Sequence, residues 1–142
     1  MFRPVISTLV AVLLGSAASA GVVEVHMLNR SGEDRMVFEP AFVQAAPGDT
    51  IRFVPSDKGH NAESLDGMIP EGASAFGGKI NEAFDVTLDT EGVYAVMCKP
   101  HYAMGMVMTI AVGDAAAAPE GLLEGCVPKK AKERFEAQLS HL

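Results

Sequence analysis

Between Gly21 and Val112 the chain keeps returning to a two-residue period, and each run stops at a turn-forming pair. In VVEVHML, Val23, Val25 and Met27 fall on one face, with Glu24 and His26 on the other. DTIRFVP sets Ile51 and Phe53 against Arg52, and FDVTL sets Phe84, Val86 and Leu88 on one side. Such alternation marks strands with one face buried. VYAVMC and MVMTIAV are apolar almost throughout, as strands covered on both faces would be. The separators are Ser31-Gly32, Pro47-Gly48-Asp49, Asp66-Gly67, Gly77-Gly78 and Glu91-Gly92. Many short strands at this spacing predict an all-β antiparallel sandwich or barrel over residues 21–112.

The pattern changes after Val112. Residues 113–142 open on Gly-Asp and an alanine run and close on PKKAKERFEAQL. There Ala131, Phe135 and Leu139 recur every four residues, and Pro128 suits a first helical turn. The pairs Lys129/Glu133 and Lys132/Glu136 stand at i,i+4 on outward faces. One C-terminal helix is expected, with a weaker second one before it, interrupted by Pro119 and Gly121.

Residues 1–20 read differently from the rest. Arg3 precedes an apolar run too short to span a bilayer, and Ala18-Ser19-Ala20 matches a small-residue cleavage site. These features predict an exported protein with a secretory signal peptide over 1–20 and a single domain over 21–142. The formal charge is −7, and Arg3 is the one charge in the first twenty residues, so the processed chain stands near −8. That balance argues against nucleic-acid binding. No later apolar stretch is long enough to cross a membrane.

Export sharpens the question of the two cysteines, Cys98 and Cys126. In an oxidising compartment a Cys98–Cys126 disulfide with no further chemistry is the plain reading. The competing reading starts from CKPHYAMGM, where Cys98, His101 and Met106 follow C-x2-H and H-x4-M spacing. Thiolate, imidazole and thioether are ligands for soft or borderline metals. The loop lies between two apolar strands, and Pro100 stiffens it and removes an N–H that would otherwise reach the sulfur. GHN, residues 59–61, follows the strand IRFVP and offers His60 as a fourth ligand, 38 residues before Cys98. Calcium and magnesium prefer oxygen ligands, and structural zinc takes at least two cysteines and no methionine. Two histidines, a cysteine and a weak axial methionine make the donor set of a blue-copper electron-transfer site.

Motifs along the whole chain then carry a family resemblance. VHMLN, MVFEPAFV, PGDTIRFVP, KGHNAES, MIPEGA, KINE and CKPHYAMGMV occur in order, over nearly all of residues 21–140. The chain resembles the cupredoxins and, among them, the pseudoazurins; plastocyanins share C-x2-H-x4-M but end soon after their methionine strand. The resemblance implies a cupredoxin-like Greek-key sandwich with a C-terminal extension of one or two helices. It implies one copper ion, cycling between Cu+ and Cu2+, held by His60, Cys98, His101 and Met106. Asn61 would brace the ligand loop and offer its backbone N–H to the Cys98 sulfur. Met36 would lie near His101. The implied function is one-electron transfer in the periplasm by a monomer, with no catalysis. Copper nitrite reductase or c-type cytochromes would be the transient partners. His101 would be the electron port, in a small apolar patch of Pro55, Pro100, Ala103 and Met104, rimmed by Lys58, Lys79 and Lys99. The chain departs from the family where lysines are usual, carrying Asp66, Ala75 and Gly77. A copper storage or delivery protein is the rival reading, using the same soft ligands but exchanging the metal. His26 is expected on a solvated face, His141 in the tail and Cys126 as a free or dimerising thiol.

Overall fold

The computed structural model describes residues 19–142. Residues 1–18, which hold most of the expected signal peptide, lie outside the described residues. Eight strands form two four-stranded sheets. They are β1 (Val22–Ser31), β2 (Asp34–Glu39), β3 (Phe42–Ala45), β4 (Asp49–Val54), β5 (Glu63–Ser64), β6 (Phe84–Leu88), β7 (Gly92–Met97) and β8 (Val107–Val112). One sheet runs β2-β1-β4-β6 and the other β3-β8-β7-β5.

The faces divide as the alternation predicts. Val25, Met27, Ile51 and Phe53 are wholly buried, whereas Glu24 and Arg52 are exposed. These residues meet Phe38 of their own sheet and Tyr94, Val96, Met108 and Ile110 of the facing sheet in one core between the sheets. Phe84 stacks on Phe53 with ring centroids 5.1 Å apart, and Phe38 meets Phe53 edge-on at 6.3 Å. Every residue of β8 is buried because its outer face is also covered. Ala95 and Val107 on that face form a second core with Ala131 and Phe135 of a C-terminal helix, α1 (Lys129–Leu139).

The topology departs from the expected antiparallel sandwich in two pairs. β1 runs parallel to β4 and β3 parallel to β8; the other pairs are antiparallel. Of the two helices considered, only α1 forms. Residues 119–124 make turns instead, with Leu122 N–H donating to Pro119 O and Glu124 N–H to Gly121 O. Gly121 sits at φ 76°, a left-handed conformation that ends helical growth. The stripe on α1 also shifts by a residue: Gln138 is buried and Leu139 only half-buried. The amide of Gln138 accounts for this, accepting from Thr109 Oγ1 at 2.9 Å and donating to Val107 O at 3.0 Å.

Candidate metal centre

The loop from Cys98 to Met106 is closed by its own backbone. Cys98 N–H donates to Met106 O at 2.9 Å, and Met106 N–H donates to His101 O at 3.1 Å. Between them a 3-10 helix spans Lys99–Met104, with Pro100 in its first turn, where a missing N–H costs nothing. Gly105 ends it at φ 86°, and its N–H donates to Tyr102 O at 2.9 Å. These bonds place Cys98 and His101 on one side of a tight arch.

His60 arrives from the loop after β4 and is held from three directions. Its carbonyl accepts from Asn81 N–H at 3.0 Å, and Asn81 Oδ1 accepts from Gly59 N–H at 2.7 Å. Its Nε2 lies 2.8 Å from Asn29 Oδ1. A carboxamide oxygen only accepts, so Nε2 carries the proton and the Nδ1 lone pair of the neutral ring is free. Asn61, 4% exposed, joins the two loops. Its Oδ1 accepts from Lys99 N–H at 2.8 Å, and its Nδ2 donates to Glu63 Oε2 at 3.0 Å and Gly78 O at 3.2 Å.

Three donor atoms converge as a result. Cys98 Sγ is 3.7 Å from His60 Nδ1 and 3.5 Å from His101 Nδ1, and the two Nδ1 atoms are 3.2 Å apart. The circumradius of a triangle with those edges is about 2.0 Å. Imidazole nitrogen and thiolate sulfur bind a comparable divalent ion at roughly 2.0–2.1 and 2.3 Å, so the donor set fits a metal centred among them. Cys98 and His60 are wholly buried, as is Met106, whose side chain belongs to the same core as Cys98. His101 is half-buried.

The electrostatics suit a neutral imidazole and a guarded thiol. Burial and the neighbouring His101 push the His60 pKa down, against a smaller upward pull from Asp57. Burial pushes the Cys98 thiol up; hydrogen bonds from the Asn61 and His101 backbones oppose this. Both cysteines are free, Cys98 buried and Cys126 exposed, which removes the disulfide reading.

A model of copper binding proteins of the plastocyanin/azurin family matches residues 25–113, more than half of the chain. The chain belongs to that family. A pseudoazurin from Paracoccus pantotrophus is 46% identical over a 144-position alignment that spans 100% of this chain and 99% of the relative. The structure of a pseudoazurin from Sinorhizobium superposes with a TM-score of 0.79 at 43% identity, covering 85% of this chain and 95% of that one. One from Methylobacterium extorquens gives 0.79 at 40%, covering 84% and 98%. The sandwich is thus cupredoxin-like, and the resemblance to pseudoazurins holds in sequence and in structure. Like its family, the chain binds copper and carries electrons; it is not an enzyme.

Other residues fall as follows. Lys58, Lys79, Lys99, Pro100 and Ala103 are exposed, Pro55 is half-buried, and Met104 is 43% exposed. Met36 sits in β2 at φ 52°, half-buried against the main core. His26 lies on the outer face as expected, but is bound: its Nδ1 is 2.7 Å from Ser56 Oγ and its Nε2 3.1 Å from Glu24 Oε1. His141 is more than tail, lying 5.3 Å from Phe42 between ring centroids. Asn29 and Asn81 are the residues that sequence reasoning missed. Each is a polar residue at a strand end or turn, which reads as solvated until its partner is known.

Proposed function

We propose that this chain is a periplasmic type 1 copper carrier in which His60, Cys98, His101 and Met106 hold one copper ion. The observation that carries the assignment is the convergence of two Nδ1 atoms and one thiol sulfur within 3.7 Å of one another, from loops 38 residues apart. Cys98 would bind as thiolate, His60 and His101 would complete the plane, and Met106 would be the weak axial ligand that tunes the potential. Copper bound there supplies a reversible one-electron couple. The protein's part is to hold the donors still, exclude water through the buried Cys98 and His60, and present the His101 ring edge at the surface.

Around that edge, Met104, Pro100, Ala103 and Pro55 form an apolar contact area rimmed by Lys58, Lys79 and Lys99. A patch of this size suits weak, transient redox encounters, with the lysines steering an acidic partner. Copper nitrite reductase and c-type cytochromes are the proposed partners, and the working state is a monomer. Met36 is proposed to stay close to the His101 ring. The N-terminal features predict cleavage after Ala20. Gly21 N–H already donates to Asp49 Oδ1 at 2.7 Å, and cleavage would turn that contact into an ion pair with the new terminus. Among the described residues, no helix is long and apolar enough to cross a membrane.

The test is to add Cu(II) to the purified chain and record the visible spectrum. An intense sulfur-to-copper charge-transfer band, lost in Cys98→Ser and kept in Cys126→Ser, is expected. A colourless Cu(II) complex, or a band that survives Cys98→Ser, refutes the assignment.

A further inference from the structure

Arg134 stands on α1, outside both sheets, and its guanidinium is spent almost entirely on backbone carbonyls. Nη1 donates to Met36 O at 2.7 Å and to Gly105 O at 2.8 Å, and Nη2 donates to Arg35 O at 2.8 Å. The nearest carboxylate, Asp34, is 4.0 Å away and 78% exposed, while the Arg134 side chain is 17% exposed. An arginine this covered, with only a distant and solvated counter-charge, acts here as a planar donor that fits several oxygens at once.

Those oxygens bracket Met106. Gly105 O belongs to the peptide group whose nitrogen is that of Met106, so gripping it fixes the plane from which Met106 departs. The N–H of the same peptide donates to His101 O. On the other side, the grip holds Met36 and Arg35 on β2, and the Met36 side chain packs on the core that contains Cys98 and Met106. The fit is close: a Cβ on Gly105 would lie 2.8 Å from Lys130 Cγ and 3.1 Å from Lys130 O, both on α1.

We infer that Arg134 is a positioning residue for the axial ligand: it clamps the Gly105–Met106 peptide to β2 and so sets how strongly Met106 engages the copper. The inference rests on the copper-site reading above. A weak, long axial bond is the softest contact in such a site, so a small displacement of its backbone anchor changes it first. Of the equatorial donors, His60 is held separately by Asn29 and Asn81, and Asn61 grips the Cys98 loop at Lys99 N–H.

The experiment compares copper-loaded wild type with Arg134→Gln, Arg134→Lys, Phe135→Leu and Met106→Leu. Charge-transfer spectrum, EPR rhombicity, reduction potential and thermal midpoint are measured for each. Phe135→Leu loosens α1 through its buried apolar anchor without touching a loop carbonyl. Arg134→Gln is expected to shift the band ratio, rhombicity and potential while the band itself remains. Arg134→Lys should show the same shifts in smaller measure, since one ammonium cannot span three carbonyls. Phe135→Leu should lower the thermal midpoint and leave the spectrum and potential at wild-type values. Wild-type spectra and potential in both Arg134 variants, with Met106→Leu shifting both, overturn the clamp and leave the copper site standing. No band in wild type, or no shift in Met106→Leu, overturns the copper-site reading and the clamp with it.

Discussion

Replacing Asn61 with alanine tests whether the two ligand loops are joined by one side chain. The amide is 4% exposed and makes three hydrogen bonds, two of them to backbone, at Lys99 N–H (2.8 Å) and Gly78 O (3.2 Å). The third, to Glu63 Oε2 at 3.0 Å, ends on a half-exposed carboxylate that water can re-solvate, so its loss is small. Each backbone bond contributes about 1 kcal/mol net, and a buried partner left unsatisfied adds a penalty of about 1–3 kcal/mol. With water partly reaching the cavity, the expected loss is about 2–4 kcal/mol. For a domain of this size that corresponds to a fall of roughly 10 °C in thermal midpoint. The assay is thermal unfolding of metal-free wild type and Asn61→Ala, followed by far-ultraviolet circular dichroism at neutral pH. A fall under about 1 kcal/mol would mean that water substitutes for the amide, and the claim that Asn61 joins the loops would be wrong.

Two further perturbations probe the sandwich itself. Gly78→Ala should destabilise by about 1–3 kcal/mol, as overpacking does, because the new Cβ would stand 2.3 Å from Phe84 Cδ1 and push that ring off Phe53. Urea unfolding checks it, and an unchanged midpoint would show that the ring moves aside freely. Asp49 accepts the N–H groups of Gly21 (2.7 Å) and Ala46 (2.8 Å), which hold its carboxyl below the usual carboxylate range. A depressed folded pKa means a contribution present above the unfolded value, about 4, and lost as pH falls through the folded one. Asp49→Asn should therefore flatten the acid limb of stability below about pH 4, measured as denaturant midpoint against pH.

What could be read ahead of the structure followed from short-range pattern. Alternation in β1, β4 and β6 and the apolar runs of β7 and β8 are local, and so is the Cys98–His101–Met106 spacing, because backbone bonds within that loop determine its shape. What could not be read depends on partners far along the chain. Nothing in Val22–Ser31 says that it pairs parallel with Asp49–Val54 and not antiparallel, since both orders bury the same face. Asn29 looks like a strand-end polar residue until His60 Nε2 arrives beside it. Arg134 falls outside the Ala131–Phe135–Leu139 stripe and so reads as solvated, yet carbonyls from β2 and the ligand loop cover it. The alanine run favours helix, but Pro119 and Gly121 act against it locally and leave turns.

The separation between these kinds of contact bears on how the centre works. Two imidazole nitrogens and a thiol sulfur stand within 3.7 Å of one another, the donors of a metal site already brought together by the fold. Two of them are anchored from behind: His60 through Asn29 and Asn81, and Cys98 through its N–H on Met106 O. An arrangement set by the fold costs little to keep when the ion's charge changes, since the ligands have nowhere else to go. The same anchoring makes copper a stabiliser, because the ion finds its donors assembled only in the folded chain and binds the unfolded one far less well. Among the described residues none anchors the His101 ring from behind, and His101 is only half-buried. The donor that meets the surface is therefore also the one with most freedom, and any response of the centre to a docked partner should begin there.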